Sequence, residues 1–257
     1  MTYGYDGVLK VTSDGPIRII TLDDPDTMNS MTDPMHDGIM RVWLDIAQDQ
    51  EVRAVVLTGT GRAFSAGGNI PSFLRTMSDT DYRRKELRMA RMVLENMLNC
   101  HVPVIAAVNG AAVGLGCSIA VAADIVLMSD AAYIADTHVN IGLVAGDGGV
   151  ITWPFMMSLL KVKEYLFTGE RITAEKAVEL GLANRVVPAD QLMDEAMTLA
   201  KKLAAQPPQA IQDTKRALNV YLQDALNRVM PFALAAESES FTSPELAATA
   251  KKFTEKG

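Results

Sequence analysis

Apolar and polar positions along this chain keep two rhythms, one for strands and one for helices. Val8 to Ser13 and Ile17 to Leu22 are short β-type runs on either side of Asp14-Gly15-Pro16, a pattern that predicts a hairpin. Pro25 to Ser30 reads as loop. Thr32 or Asp33 before Pro34 supplies an N-cap and a first helical position, and Ile39, Val42, Trp43 and Ile46 give the helix that follows one apolar face. Val52 to Thr58 predicts a buried strand and Gly59 to Ser72 a glycine-rich loop. Asp79 to Asn99 predicts a long polar helix with Leu87, Met89, Met92, Val93 and Met97 inside. The cycle then repeats with a strand over Val104 to Val108, a loop over Gly110 to Val113 and a compact helix of small residues over Gly114 to Ala123. Strands follow at Ile125 to Met128 and Ala132 to Ala135. From Val150 the pattern is helical apart from one short strand, Ala183 to Val187. The last helices are expected over Thr173 to Leu180, Ala189 to Ala205, Pro208 to Asp224, Asn227 to Phe241 and Pro244 to Phe253.

This alternation implies an α/β fold with a largely parallel sheet wrapped by helices. Pro207 and Pro208 mark a boundary, which divides the chain into a core over residues 1–200 and a helical region over residues 201–257. Ala233, Ala235 and Ala236 give the late helices small apolar faces suited to packing on another subunit.

Composition narrows the function classes. Of 257 residues, 49% are hydrophobic and 21% charged, which is ordinary for a folded globular chain. The net charge of −7 argues against nucleic acid or an anionic membrane as the main partner. The run Arg83, Arg84, Lys85, Arg88 and Arg91 is interleaved with Asp79, Asp81, Glu86 and Glu95, so it reads as a solvated face rather than an RNA-binding one. No apolar stretch is long enough to span a bilayer, and Met1 to Asp6 lacks the basic start of a secretion signal. Cys100 and Cys117 sit in apolar contexts and read as reduced core thiols, so a cytoplasmic location is expected. The three histidines and two cysteines lack ligand spacing, so neither a metal nor another cofactor is expected.

The chemistry lies in two glycine-rich stretches, Phe64-Ser65-Ala66-Gly67-Gly68-Asn69-Ile70 and Val108-Asn109-Gly110-Ala111-Ala112-Val113-Gly114-Leu115-Gly116-Cys117. Each follows a short apolar strand and leads toward a helix. Missing side chains leave backbone N–H groups open to a ligand. Two such loops at neighbouring strand ends can aim two N–H groups at one oxygen, forming an oxyanion hole.

Six ordered blocks then resemble the enoyl-CoA hydratase/isomerase, or crotonase, family. They are Leu57-Thr58-Gly59 with Ala63 to Gly68; Pro103 to Gly110; Gly114-Leu115-Gly116 with Ala123-Asp124-Ile125; Gly142-Leu143 with Gly146-Asp147-Gly148-Gly149; Thr168 to Ala174; and Ala177 with Gly181-Leu182 and Val186-Val187. The resemblance implies a ClpP-like spiral of ββα units with a C-terminal helical trimerisation region, assembled as a homotrimer or a dimer of trimers. It implies an acyl-CoA thioester substrate, whose coenzyme A is part of the substrate rather than a cofactor. The N–H groups of Gly68 and Leu115 match the oxyanion donors, and the first turn of a helix would add its dipole to the Leu115 N–H. Ala66, Gly67 and Ile70 match the stretch along the adenine and pantetheine. Phe253 and Lys256 match a C-terminal aromatic and lysine that reach a neighbour's coenzyme A; Lys256 reads equally as a solvated tail charge.

The two hydratase glutamates are replaced. Their matched positions hold Ser118 and His138. A serine hydroxyl is no acid or base near neutral pH, whereas an imidazole is. Asp147, nine residues after His138, is placed to orient it or to cap the helix starting near Gly149. His138 itself reads as a proton-transfer group or as a buried structural histidine, and Ser118 as a small packing residue. His36 follows a helix start and His101 adjoins Pro103, so neither is expected at the site. The His138–Asp147 spacing, together with Glu237, also resembles the β-diketone hydrolase branch of the superfamily; a solvated helix face explains Glu237 equally well. That branch carries a further histidine where this chain has Leu115.

Three functions are therefore expected to compete. The first is an acyl-CoA-processing enzyme of the family, with the His138–Asp147 pair moving a proton beside an oxyanion hole. The second is retro-Claisen cleavage of a β-diketone or β-ketoacyl-CoA, and the third a non-catalytic binding or assembly role. The segment from Ser72 to Arg91 is expected to be mobile and to shape substrate choice.

Overall fold

The computed structural model describes residues 3–5 and 7–254, and side chains through residue 251. Its larger sheet is built from β1 (Leu9–Asp14), β2 (Ile17–Leu22), β3 (Ala54–Gly59), β5 (Val104–Val108), β7 (Ile125–Ser129) and β10 (Arg185–Val187), in that order across the sheet. The β1–β2 hairpin is antiparallel, with Asp14 opposite Ile17, and every later pairing is parallel. A second sheet holds the short strands β4 (Ala63–Ser65), β6 (Ala111–Val113), β8 (Tyr133–Ala135) and β9 (Ile172–Thr173). Each of β3, β5 and β7 thus runs into a short strand of the second sheet before a helix returns the chain, which is a spiral of ββα turns.

The central strands are buried on both faces, so alternation decides which core each residue enters. Val55, Leu57, Val104, Ala106, Val108, Val126 and Met128 face one core, which α1 (Asp33–Gln48) enters with Met35, Ile39, Val42, Trp43 and Ile46. Ala54, Val56, Ile105, Ala107 and Leu127 face the other, closed by Leu192, Ala196 and Ala200 of α8 (Leu192–Ala204). The two layers bury both faces of one parallel sheet.

Three features depart from the sequence-based expectation. Residues 63–65 and 111–113 form β4 and β6 instead of remaining loop. The loop expected through Ser72 gives way to α2 (Ile70–Ser78), tied to α3 (Thr80–Asn99) by the buried Arg83 guanidinium, which donates to the carbonyls of Thr76 and Met77 at 3.1 and 3.2 Å. The neighbouring Arg84 and Arg91 pair with Asp81 and Glu95 on the same helix, so much of that basic run is neutralised locally.

The third departure lies in the C-terminal region. After α4 (Leu115–Val121), α5 (Gly149–Thr152), α6 (Leu159–Thr168) and α7 (Ala174–Leu180), one helix, α9 (Pro208–Ser240), replaces the two expected. It carries Pro231 inside, which removes one N–H from the helical ladder. Leu226, Met230, Ala233 and Glu237 are buried at four-, three- and four-residue steps, and this stripe holds the helix against α3 and α5. The chain ends in α10 (Pro244–Thr254), whose Leu246 is buried with Phe241 and Leu143. Among the described residues no helix is long and apolar enough to cross a membrane, and both cysteines are free and buried.

Candidate active site

The two glycine loops meet. Gly67, at φ +80°, lies so close to the second loop that a Cβ there would sit 2.2 Å from the carbonyl oxygen of Val113. No side chain fits, and the left-handed backbone favours glycine as well. This contact brings Gly68 and Leu115 to the wall of one cavity of about 140 Å³. Leu115 is the first residue of α4, where a helix leaves its N–H groups unpaired. Ala66 and Ile70 line the same cavity, and Gly67 is not part of its wall. The side chain of Phe253, in α10, and the whole of Lys256 lie outside the described residues.

His138 opens a short 3-10 turn after β8, and its ring is clamped between two carboxylates. Asp136 Oδ1 lies 2.6 Å from Nδ1, and Asp147 Oδ2 lies 3.3 Å from Nε2. Asp147 also accepts a 3.0 Å hydrogen bond from Ser118 Oγ, so Ser118 is a partner of the cluster and not only packing. The N-cap position of α5 belongs to Gly148 with no side-chain cap, which leaves Asp147 to His138 and Ser118. Glu237 reaches the same cavity from α9 and is buried, not a solvated face.

The turn Gly146-Asp147-Gly148-Gly149 is glycine-rich because three cluster members press on it. A Cβ on Gly146 would lie 2.2 Å from Glu237 Oε2, one on Gly148 2.4 Å from Ser118 Cβ, and one on Gly149 2.5 Å from Asp136 Oδ2. The sequence of this turn is therefore a mould of the site.

Electrostatics separate the roles. Burial disfavours a charged imidazole, but the carboxylates of Asp147 and Asp136 outweigh it and hold the His138 pKa well above its ordinary value. Burial likewise opposes the Asp147 carboxylate, and the His138 charge with the bonds from His138 and Ser118 lowers its pKa in spite of it. Glu237 feels the His138 charge too, but without a hydrogen bond from it. Burial and then the Asp147 charge push it up to about 8, so it carries its proton at neutral pH. Its Oε2 is buried without a hydrogen-bond partner. Acid and base roles are assigned where neighbouring groups are driven apart in this way.

Three residues at this site escape the sequence reading. Asp136 is one. His36 and Glu86 are the others: they line the same cavity from α1 and α3, with His36 Nδ1 3.1 Å from Glu86 Oε2. Each is a polar residue on an apolar helix face, three residues before buried Ile39 and Met89 respectively, and that spacing is the signal that marks them.

Residues 12–257 match the enoyl-CoA hydratase/isomerase family. The chain belongs to that family. Within it, the short-chain-enoyl-CoA hydratase of Clostridium acetobutylicum is 31% identical, with 95% of this chain and 93% of that protein covered. The crystal structure of an enoyl-CoA hydratase/isomerase from Mycobacterium paratuberculosis is 47% identical over 97% of this chain and 100% of that one, with a TM-score of 0.94. A β-diketone hydrolase from the cyanobacterium Anabaena, bound to (S)-3-oxocyclohexyl acetic acid, is 33% identical over 92% of this chain and 94% of that one, with a TM-score of 0.85. The crotonase α/β fold of this enoyl-CoA hydratase/isomerase family member is thus shared with both kinds of protein.

Proposed function

We propose that this protein processes an acyl-CoA thioester through an enolate. The thioester oxygen accepts hydrogen bonds from the N–H groups of Gly68 and Leu115, and the proton moves between the His138–Asp147 pair and Glu237. One observation carries this reading: His138, Asp147 and the Glu237 carboxyl that keeps its proton line one cavity with Gly68 and Leu115 of the two glycine loops, while Asp136 holds the other nitrogen of the His138 ring. His138 is held protonated, so within the pair the Asp147 carboxylate accepts the proton and the imidazolium orients it. A proton leaves Cα for the Asp147 carboxylate of the pair, the electron pair moves onto the thioester oxygen, and the Glu237 carboxyl returns a proton to carbon. With Ser118 and His138 where hydratases have glutamates, water addition by a glutamate pair does not transfer to this site.

The test is exchange of Cα protons of butyryl-CoA with deuterated water, followed by NMR. Exchange is expected in the wild type and reduced about a hundredfold in Asp147→Asn. A protein that binds butyryl-CoA without exchanging its Cα protons refutes the reading.

A second reading is favoured by the likeness to the β-diketone hydrolase and by Glu237 at its matched place. Here the Asp147 carboxylate of the His138–Asp147 pair takes a proton from water as the water oxygen attacks a ketone carbon. The carbon–carbon bond breaks, its electron pair becomes an enolate at the same two amides, and Glu237 protonates the new carbanion carbon. Ring-opened acid from cyclohexane-1,3-dione supports this reading, and its absence under conditions where butyryl-CoA exchanges excludes it.

Assembly with further copies of this chain, as a trimer or dimer of trimers, is proposed on the apolar side chains that α6 and α9 expose. The absence of any metal or other cofactor in the chemistry, and a cytoplasmic location, belong to the same proposal.

A further inference from the structure

The His36–Glu86 pair plays no part in the proton transfers above, yet it faces the same cavity. The His36 side chain is 6% exposed and that of Glu86 17%. His36 Nε2 and Glu86 Oε1 are both buried, and neither has a hydrogen-bond partner. Buried polar atoms without partners are costly, and a native protein tolerates them where a ligand completes the set. The pair comes from α1 and α3, whereas the clamp comes from the β8–α5 segment and Glu237 from α9. His36 is nonetheless near enough for its charge to help lower the Asp147 pKa. A substrate at the clamp therefore has a second polar station within the same cavity.

The donor inventory selects the group that fits. Nδ1 is engaged by Glu86 Oε2, which leaves one ring nitrogen and one carboxylate oxygen. With a neutral ring both are acceptors, and a hydroxyl donates to either. With a protonated ring, Nε2–H donates to the hydroxyl oxygen while Oε1 accepts its proton. A hydroxyl fits in both states. A ketone fits only the second, and an alkyl chain fits neither.

We propose that His36 and Glu86 form a recognition site for a hydroxyl group on the acyl chain, so that hydroxylated acyl substrates are selected over plain alkyl ones. This rests on the cavity being the substrate site. It is tested by the affinities of 3- and 4-hydroxybutyryl-CoA relative to butyryl-CoA, and of 3-hydroxycyclohexanone relative to cyclohexanone. The wild type is expected to prefer the better hydroxyl ligand by about tenfold or more, and the ratio is expected to fall toward one in His36→Phe and partly in Glu86→Gln. In the wild type, the ¹⁵N resonance of His36 Nε2 is expected to move with the hydroxyl ligand and not with its alkyl counterpart. That measurement decides the matter even if a variant fails to fold. Equal binding of hydroxyl and alkyl ligands to the wild type, or a preference that survives His36→Phe, overturns the proposal. Failure of the coenzyme A esters alone to bind, with the cyclohexanones still discriminated, rejects the thioester reading and leaves the hydroxyl site standing.

Discussion

Gly146 and Glu237 occupy one space: the Oε2 of Glu237 lies 2.2 Å from where a Cβ on Gly146 would be. The backbone carbonyl of Ala233 is 3.0 Å from the same point, so the turn has no room to retreat toward α9. Gly146→Ala is expected to drive the Glu237 carboxyl out of its position and to lower activity about as much as Glu237→Gln. Destabilisation is expected to be about 1–3 kcal/mol, the usual cost of overpacking. Kinetics beside thermal melts of the two variants check this. Full activity in Gly146→Ala would show that the position of Glu237 does not matter.

His138 is expected to remain an imidazolium at neutral pH. Its folded pKa is raised by two carboxylates, so the stability it adds is fully present below its unfolded value near ~6.5 and is lost as pH rises through the higher folded value. An NMR titration of the His138 ring reads this directly. Asp136→Asn removes one carboxylate and is expected to lower the His138 pKa. A wild-type ring that titrates near ~6.5 would mean that the clamp exerts no electrostatic hold.

Glu237 gives a slope of the same sign. Its folded pKa of about 8 lies above the unfolded value of a glutamate near ~4.3, so the folded state holds an extra proton between them and stability falls as pH rises through that window. Glu237→Gln is expected to flatten this fall, seen as a melting-temperature difference from the wild type that grows from pH 5 to about pH 8. The rate of the wild type is expected to drop above about pH 8, where the acid form is lost. The variant is expected to lose about a hundredfold in rate, in line with removal of a general acid. A pH-independent stability difference would place the Glu237 pKa elsewhere.

The legible part of the fold was the part that burial writes into long runs. Val104 to Val108 and Val52 to Thr58 read as strands because both faces are covered, and Ile39, Val42, Trp43 and Ile46 as a helix because one face is. β4 and β6 were hidden because they lie inside glycine-rich stretches that read as loop, and β9 because two residues carry no period. The helix break expected before Asn227 failed because the stripe Leu226, Met230, Ala233 and Glu237 continues through it. That stripe also tells why Glu237 is no surface residue. At the site, His138 and Asp147 were legible through the family resemblance, which put His138 at a matched catalytic position with Asp147 in the glycine-rich turn nine residues on. Asp136 was not, since it lies two residues from His138 and only the turn after β8 folds its carboxylate back onto Nδ1.

Ser118→Glu is expected not to create a hydratase. Ser118 Cβ already lies 2.4 Å from the point where Gly148 would carry a Cβ, and its hydroxyl is bonded to Asp147. A longer carboxylate there meets the turn and adds a like charge beside Asp147. The expected outcome is a loss of about 2–4 kcal/mol in stability with no gain in crotonyl-CoA hydration. Ser118→Ala is expected to cost only about 1 kcal/mol, through the lost hydrogen bond, and to raise the Asp147 pKa. Hydration activity appearing in Ser118→Glu would show that the turn yields where its packing says it cannot.

Leu160 is 80% exposed, Phe167 71% and Phe232 77%, and Tyr221 and Leu218 add to the same kind of surface on α9. Apolar side chains this open, on α6 and α9, are costly in water unless another surface covers them. The small residues Ala235 and Ala236 let a neighbouring helix approach closely. Sedimentation is expected to give three or six times the chain mass. Leu160→Glu with Phe232→Glu is expected to shift it toward the monomer, because each charge would be buried unpaired at the subunit contact. Neither residue lines the cavity. Loss of activity on dissociation would therefore mean that assembly shapes the site. A wild type that sediments as a monomer at micromolar concentration, with these side chains still open to water, would refute self-association as their cover.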